Sequence, residues 1–534
     1  MSDKERLLLS GNEAVALAAL HARVALATAY PGTPSTEILE NLAKLGGKAQ
    51  WCPNEKVAFE VALGAAFGGA RALVTMKHVG VNVAADPLFT AMHTGVSGSL
   101  VLVSADDPGM WSSQNEQDNR NYSKAAGVPT FEPSDSQEAY DLLIEAVEFS
   151  EKWKLPVMLR MTTRICHSKS IVKPHPPEGP FPTPHFERDI PARTMLPGFA
   201  RPAHRRLRKK LDEIYAWNET SHLAKRFDGD KSLGIITSGV CFNHAREAAP
   251  EASILKLSMV YPLPIETMRA FAESVDRCVV IEEGDAYLAD AARAAGIVVE
   301  SKDTMYRFGE LNVGRVRRIL AGDNSEEPVV PKGKPPQLCA TCPHRAVFAS
   351  LAKLGCYAMG DIGCYTLGAL PPYQSLDSCV CMGASIGLGL GLRHVLPPEE
   401  AKRMVSVIGD STFVHGGITG LVEMAYNRPS TGHVVLILDN STTAMTGLQE
   451  HPGTGRTLDH RPTHKLDFAE LAKAIGIERV YEIDPMENVS KFQALVKECL
   501  ELEELVVIIA RRTCSLAEKK IAAWERAAAE KSHE

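Results

Sequence analysis

The 534-residue sequence has no run of the roughly 18 uninterrupted apolar residues that a membrane-spanning helix requires. Its opening, MSDKERLLLSGNEAV, has too short an apolar run for a secretory leader. From these two absences we expect a cytoplasmic protein with no membrane partner. Charge of one sign is not concentrated either: 58 basic residues against 65 acidic ones leave a net charge of -7 and no charged tail. Nucleic acid is therefore not an expected partner. There is no low-complexity tract and no short-period repeat. Twelve cysteines in a chain this long do not form a secreted disulfide framework, so each is a small core residue, a reactive thiol or a metal ligand. The remaining composition, 45% hydrophobic and 23% charged, is that of an ordinary globular protein.

This length exceeds one hydrophobic core and predicts about three or four domains. Up to about residue 185, apolar runs such as RALVTMKHVG, SLVLVSADDPG and LPVMLRMTTR alternate with helix-length segments and end in turn or polar residues. That alternation predicts an α/β fold with parallel sheets. Residues 175–202 carry so many prolines that they are expected to be neither helix interior nor central strand. A smaller α/β unit follows over 203–330, with SLGIITSG, ILKLSMVYPLP and RCVVIEEGD as its strands. A second linker, GDNSEEPVVPKGKPPQ, precedes a third α/β domain over 338–534 carrying YAMGDIG, RMVSVIGDSTF, HVVLILDN and ELVVIIARR. The final Ala-, Glu- and Lys-rich segment is expected to be a surface helix or a fraying tail.

In the third domain, GDSTFVHGGITGLVEMAYNRPSTGHVVLILDNST places Asp410 after one apolar run and Asn440 after the next. In a parallel sheet, ligands sit beyond the C-terminal strand ends, where both side chains can project into one crevice. A carboxylate beside an amide oxygen suits Mg²⁺, whose coordination is completed by substrate phosphates. The pattern implies a diphosphate-bearing cofactor. On spacing alone, both residues serve equally well as turn residues.

The GDS…DN pattern resembles the Gly-Asp-Gly…Asn-Asn motif of thiamine diphosphate enzymes. The continuation NSTTAMTGLQEHPGTG resembles the 2-oxoacid:ferredoxin oxidoreductases, within them the large α subunits of the indolepyruvate type. Further similarity lies in ATAYPGTPSTEI, NEKVAFEVALGAAFGGARALVTMKHVGVNVAADP, SADDPGMWSSQNEQDNR and GDIGCYTLGALPPYQSLDSCVCMGASIG, so it covers nearly the whole chain. The resemblance implies two thiamine-diphosphate-type parallel-sheet domains flanking a transketolase C-terminal-like domain: 1–185 would hold the pyrimidine ring and 338–534 the diphosphate. Asp410, Asn440 and the carbonyl of Thr442 would bind Mg²⁺, with Asp361, Gly363, Gly409 and Ser411 near the diphosphate. Ser411 stands where the family has its third glycine.

The resemblance also assigns Glu55, in NEKVAF, to the carboxylate that hydrogen-bonds the aminopyrimidine ring and relays its proton. Glu60 is the nearby competitor. Thr33, in YPGTPST, would present its hydroxyl to the substrate carboxylate. Lys77 and His78, after another strand, are candidates for a substrate carboxylate or oxyanion, but a satisfied structural histidine accounts for His78 equally well.

Cys339 and Cys342 form a C-x-x-C, Cys364 lies in GDIGCYT, and Cys514 closes VVIIARRTC. Four thiolates suit a 4Fe-4S cluster or zinc; the resemblance favours the cluster. Cys379 and Cys381 enter a glycine-rich apolar helix and are expected to pack as small buried residues. Cys52, Cys166, Cys241, Cys278, Cys356 and Cys499 are expected to be core or surface thiols. Unlike the familiar α subunit, this sequence shows no repeated C-x-x-C-x-x-C-x-x-x-C-P. A short electron path is therefore expected, continued by ferredoxin or another electron-carrying subunit. The resemblance further implies a smaller β subunit, an (αβ)2 heteromer, and oxidative decarboxylation of an aryl pyruvate to acyl-CoA, with coenzyme A as co-substrate. A non-redox thiamine diphosphate-dependent decarboxylase or carboligase is the alternative.

Overall fold

Strands Arg71–Lys77 and Ser99–Asp106 are buried along almost their whole length, as continuous apolar runs covered on both faces must be. They form the middle of a seven-stranded sheet in the order Met259–Tyr261, Thr130–Phe131, Val157–Thr162, Ser99–Asp106, Arg71–Lys77, Leu26–Ala29, Ala49–Trp51. All its pairings are parallel except that of the Met259–Tyr261 edge. The computed structural model describes residues 6–178, 181, 183–328 and 333–531. Parts of both expected linkers and the last three residues of the expected terminal helix lie outside the described residues; that helix spans Glu518–Lys531.

The chain divides into two compact units, up to residue 328 and from residue 329. The first unit contains the seven-stranded sheet and a five-stranded one ordered Glu300–Ser301, Cys278–Ile281, Asp230–Ser238, Ala252–Leu257, Ala224–Phe227. The segment ILKLSMVYPLP, expected as one strand, is divided between these sheets: Ala252–Leu257 stays in the smaller one and Met259–Tyr261 pairs with Phe131 and Thr130. Buried ion pairs join them. Arg120 binds Asp118 at 2.5 Å and Glu282 at 2.8 Å, Arg160 binds Asp106 at 2.7 Å and also Glu132, and Ser238 donates to Glu132 at 2.8 Å. Such groups are tolerable in an interior only because each charge is paired and hydrogen-bonded.

One expectation about the first linker is overturned. Pro202 lies inside the helix Pro197–Asn218. A proline there forfeits one backbone hydrogen bond, but Ala203, Leu207, Leu211 and Ile214 recur at helical spacing and are buried, and the burial of that stripe outweighs the loss.

The second unit is a wholly parallel sheet in the order Tyr357–Met359, Met404–Gly409, His433–Asp439, Leu505–Arg511, Arg479–Ile483. Side chains alternate faces along its strands: Val434, Leu436 and Leu438 join one core cluster, Val435 and Ile437 the other. The crossover after Gly409 contains one π-helical turn, Phe413–Gly417, before the α-helix Ile418–Tyr426; such turns often mark functional sites. No helix among the described residues is long and apolar enough to cross a membrane.

Candidate functional site

In the second unit, strands Met404–Gly409 and His433–Asp439 are adjacent and parallel, with Gly409 opposite Leu438. Asp410 and Asn440 therefore leave the sheet at the same edge. Both are buried, as are Ser411 and Thr442. The Asp410 carboxylate accepts the backbone N–H groups of Ser411 (2.8 Å), Asn440 (3.1 Å) and Ser441 (2.9 Å), and His451 Nε2 stands 3.3 Å away. Burial pushes this carboxyl up, but His451 and the amide donors outweigh it and hold it below the usual carboxylate range. The side-chain oxygen of Asn440 accepts the N–H of Thr442 at 3.2 Å, and Thr443 donates its hydroxyl to Ser411 Oγ at 2.9 Å.

Asp361 and Gly363 stand on the loop after Tyr357–Met359. The Asp361 carboxylate accepts N–H bonds from Gly383 (2.8 Å) and Ser385 (3.0 Å), capping the helix Ala384–Val395. Burial pushes it up to about 6 against those amides. A Cβ on Gly363 would lie 2.5 Å from the Tyr365 ring, and one on Gly409 2.8 Å from it; only glycine lets these two loops close on the ring. Buried polar groups at a sheet edge lined by glycine backbone fit a diphosphate with its cation.

The cysteine-bearing segments are tied to the same edge. Cys514 donates its backbone N–H to the Asn440 carbonyl at 2.9 Å. Thr412, two residues after Asp410, donates to the carbonyl of Ile362, beside Gly363 and Cys364, at 2.9 Å. His344, two residues after Cys342, receives the Asn440 side-chain amide at 3.3 Å. Thr341, inside the C-x-x-C, donates to Ser515 Oγ at 2.9 Å. Burial raises the Cys342 and Cys364 thiols to about 11, and each is raised further by Cys514 and Cys339. Among the described residues no group of three or more His, Cys, Asp or Glu converges tightly enough to hold a single metal ion; a cluster asks for four thiols around a volume, a different requirement.

Cys379 and Cys381 depart from expectation. Both are exposed, in the loop ahead of the helix Ala384–Val395, because that helix begins only after Gly383 has turned the chain at φ 91°. The six cysteines expected to be core or surface thiols are all buried.

In the first unit, Glu55 opens the helix Glu55–Phe67, with Asn54 capping it through a 2.9 Å bond from the Val57 N–H. Glu55 is buried at 5% exposure; Glu60, on the exposed side of the same helix, pairs with Lys56. A Cβ on Gly80 would come within 2.7 Å of Glu55 Cγ and Oε1, so the carboxylate rests on that glycine. Thr33 follows strand Leu26–Ala29, and its carbonyl accepts from Ser112 Oγ at 3.5 Å. His78 is fully buried, with Nε2 3.2 Å from the Asn115 carbonyl and Nδ1 buried without a hydrogen-bond partner among the described residues.

Sequence reasoning missed His344, His451 and the pair Asp439–Arg511, which are bonded at 2.8 Å. His344 is pushed down to about 4 by burial, against the pull of Asp410. It is a neutral acceptor, which directs the amide nitrogen of Asn440 toward itself and the oxygen away. Its adjacency to Cys342 in CPHR was the one available signal.

Residues 17–205 match the family described as pyruvate flavodoxin/ferredoxin oxidoreductase, thiamine diphosphate-binding. Residues 361–510 match the C-terminal thiamine pyrophosphate-binding domain of thiamine pyrophosphate enzymes. Together with the parallel sheets and the Asp410–Asn440 edge, these matches define the class: a thiamine diphosphate-dependent 2-oxoacid oxidoreductase. The chain is 39% identical to indolepyruvate oxidoreductase subunit IorA of Archaeoglobus fulgidus, over 98% of this chain and 88% of that one. It is 37% identical to the same subunit of Methanothermobacter thermautotrophicus, over 96% and 87%. It belongs to the family of indolepyruvate oxidoreductase subunit IorA. Ketoisovalerate oxidoreductase subunit VorA of Pyrococcus horikoshii is 31% identical over 32% of this chain and 45% of its own. Among solved structures, a 2-oxoglutarate:ferredoxin oxidoreductase from Magnetococcus marinus shares the fold over 60% of this chain and 65% of its own, with a TM-score of 0.52 at 17% identity.

Proposed function

We propose that this chain is the large catalytic subunit of an oxidoreductase for aryl 2-oxo acids of the indolepyruvate kind, releasing CO₂ and forming an acyl-CoA. On this reading residues 1–185, 203–330 and 338–534 are the pyrimidine-binding, transketolase C-terminal-like and diphosphate-binding domains. Asp410, Asn440 and the Thr442 carbonyl hold Mg²⁺, with Gly409, Ser411, Asp361 and Gly363 framing the diphosphate. Thiamine diphosphate supplies the electron sink for decarboxylation. Glu55 holds and returns a proton at the aminopyrimidine ring, and the Thr33 hydroxyl binds the substrate carboxylate. Cys339, Cys342, Cys364 and Cys514 hold a 4Fe-4S cluster. A smaller β subunit in an (αβ)2 assembly, coenzyme A, and ferredoxin or another redox subunit complete a cytoplasmic system.

The observation that carries this reading is the bonding of the cysteine-bearing segments to the Asp410–Asn440 edge: Cys514 through its amide, Cys342 through His344, Cys364 through Ile362 and Thr412. A decarboxylase that passes no electrons has no use for thiols held there. Protein purified anaerobically is expected to contain about four irons and matching acid-labile sulfide per chain, the content of one 4Fe-4S cluster, with a reducible EPR signal after addition of thiamine diphosphate, Mg²⁺ and an aryl pyruvate. Zinc, or no iron, would leave the non-redox decarboxylase or carboligase as the better reading.

The Gly80 contact makes a second expectation. Gly80→Ala pushes the Glu55 carboxylate from its place, and because displacement of about 1 Å costs on the order of 100-fold in rate, turnover should fall by about that factor. Thermal unfolding and cofactor retention should stay near wild type; a variant as active as wild type removes the contact from the mechanism.

A further inference from the structure

A 2-oxo acid brings a carboxylate to its site, and one threonine hydroxyl does not balance that charge. At the C-terminal edge of the seven-stranded sheet, where Thr33 stands, Arg160 lies near the end of strand Val157–Thr162, Arg164 just after it, and Lys77 at the end of Arg71–Lys77. Arg160 is consumed by Asp106 and Glu132, and Arg164 by Glu310 at 2.7 Å. Lys77 is differently placed. It is the last residue of strand Arg71–Lys77, and a Cβ on Gly32 would lie 3.2 Å from its Cβ, so its stem packs against the loop that presents Thr33.

Its Nζ donates to the carbonyl of Ser112, and Ser112 Oγ in turn reaches the Thr33 carbonyl. An ammonium has three donors, and Ser112 is the one hydrogen-bond partner of Lys77 among the described residues. Asp107 acts on Lys77 through its charge, yet its oxygens are committed to the Ser112 N–H (2.9 Å), Ser113 Oγ (2.5 Å) and Thr163 Oγ1 (2.8 Å). That loop is thereby fixed with the lysine half-buried beside Thr33 and donors to spare.

We propose that the ammonium group of Lys77 binds the carboxylate of the 2-oxo acid beside Thr33; the inference rests on the 2-oxoacid reading given above. Burial brings Lys77 down to about 8, against the pull of Asp107. The cation is present at neutral pH and is lost as pH rises through that value.

The test uses the complex with its partner subunit, purified anaerobically, and phenylpyruvate as the probe. Lys77→Met should raise KM by roughly 10- to 100-fold, the weight of one hydrogen bond between charged groups, with a smaller effect on kcat. Lys77→Arg should restore most of the loss, and the decline of kcat/KM above pH 8 that is expected of the wild type should be absent from it. Thiamine diphosphate affinity should be the same in all three proteins. An unchanged KM in Lys77→Met, or loss of thiamine diphosphate from it, overturns the assignment. A wild-type complex that oxidises no 2-oxo acid overturns the underlying reading and the assignment with it, whereas normal oxidation with an unaltered KM in the variant overturns the assignment alone.

Discussion

Glu55→Gln should lower turnover of 2-oxo acids by about 10²- to 10⁴-fold, the range typical for removal of a general acid–base group, while thiamine diphosphate stays bound. The substitution keeps size and hydrogen-bonding shape, so the helix start that Asn54 caps and the contact with Gly80 should survive. What is removed is the capacity to hold and return a proton. Glu60→Gln is the internal control: that side chain is exposed and pairs with its neighbour Lys56 on the same helix, where a surface ion pair contributes about 1 kcal/mol or less. Steady-state rates report the first effect, and exchange of the thiazolium proton, followed by NMR, reports its cause. Full activity in Glu55→Gln, or equal losses in both variants, would remove Glu55 from the proton relay.

Asp410→Ala should abolish retention of the cofactor, with affinity for Mg²⁺ and thiamine diphosphate falling by about 10³-fold or more. The carboxylate receives three backbone N–H bonds and faces His451. Its loss leaves those amides buried without a partner at about 1–3 kcal/mol each. The bonds from Asn440 and Ser441 fix the turn that follows strand His433–Asp439, so the variant loses both a charge for the cation and the shape of the loop. Asp410→Asn separates the two: it retains an acceptor for part of the turn but lacks the charge. Calorimetric titration with both ligands, beside a thermal melt, distinguishes them. Wild-type affinity in Asp410→Asn would show that the charge is not used for the cation.

Much of the second unit was legible because its strands are continuous apolar runs ending in small or acidic residues, as RMVSVIG and HVVLILD do. Burial on both faces leaves such segments few alternatives to the centre of a parallel sheet. The strand Arg479–Ile483 was not legible, since at the sheet edge it is only half-buried and its composition is mixed. Glu55 and Glu60 were distinguished in the sequence only by resemblance; burial separates them physically. Cys379 and Cys381 were misjudged because the apolar helix after them suggested burial, whereas the left-handed turn at Gly383 leaves them outside. Pro202 was misjudged because a local rule met a buried stripe large enough to override it.

The sequence by itself determined where the fully buried central strands lie and which chemical groups end them, because the burial of apolar runs and the turns at Asp, Asn and Gly are local properties. Strand order was decided only in the tertiary structure. Leu505–Arg511 is inserted between His433–Asp439 and Arg479–Ile483, and that insertion sets the Cys514 amide against the Asn440 carbonyl. The packing of the helix His344–Leu354 likewise delivers His344 to the Asn440 side chain. Crossover connections choose among possible neighbours by the packing of whole helices on a finished sheet, so no short stretch of sequence records which strand ends will meet.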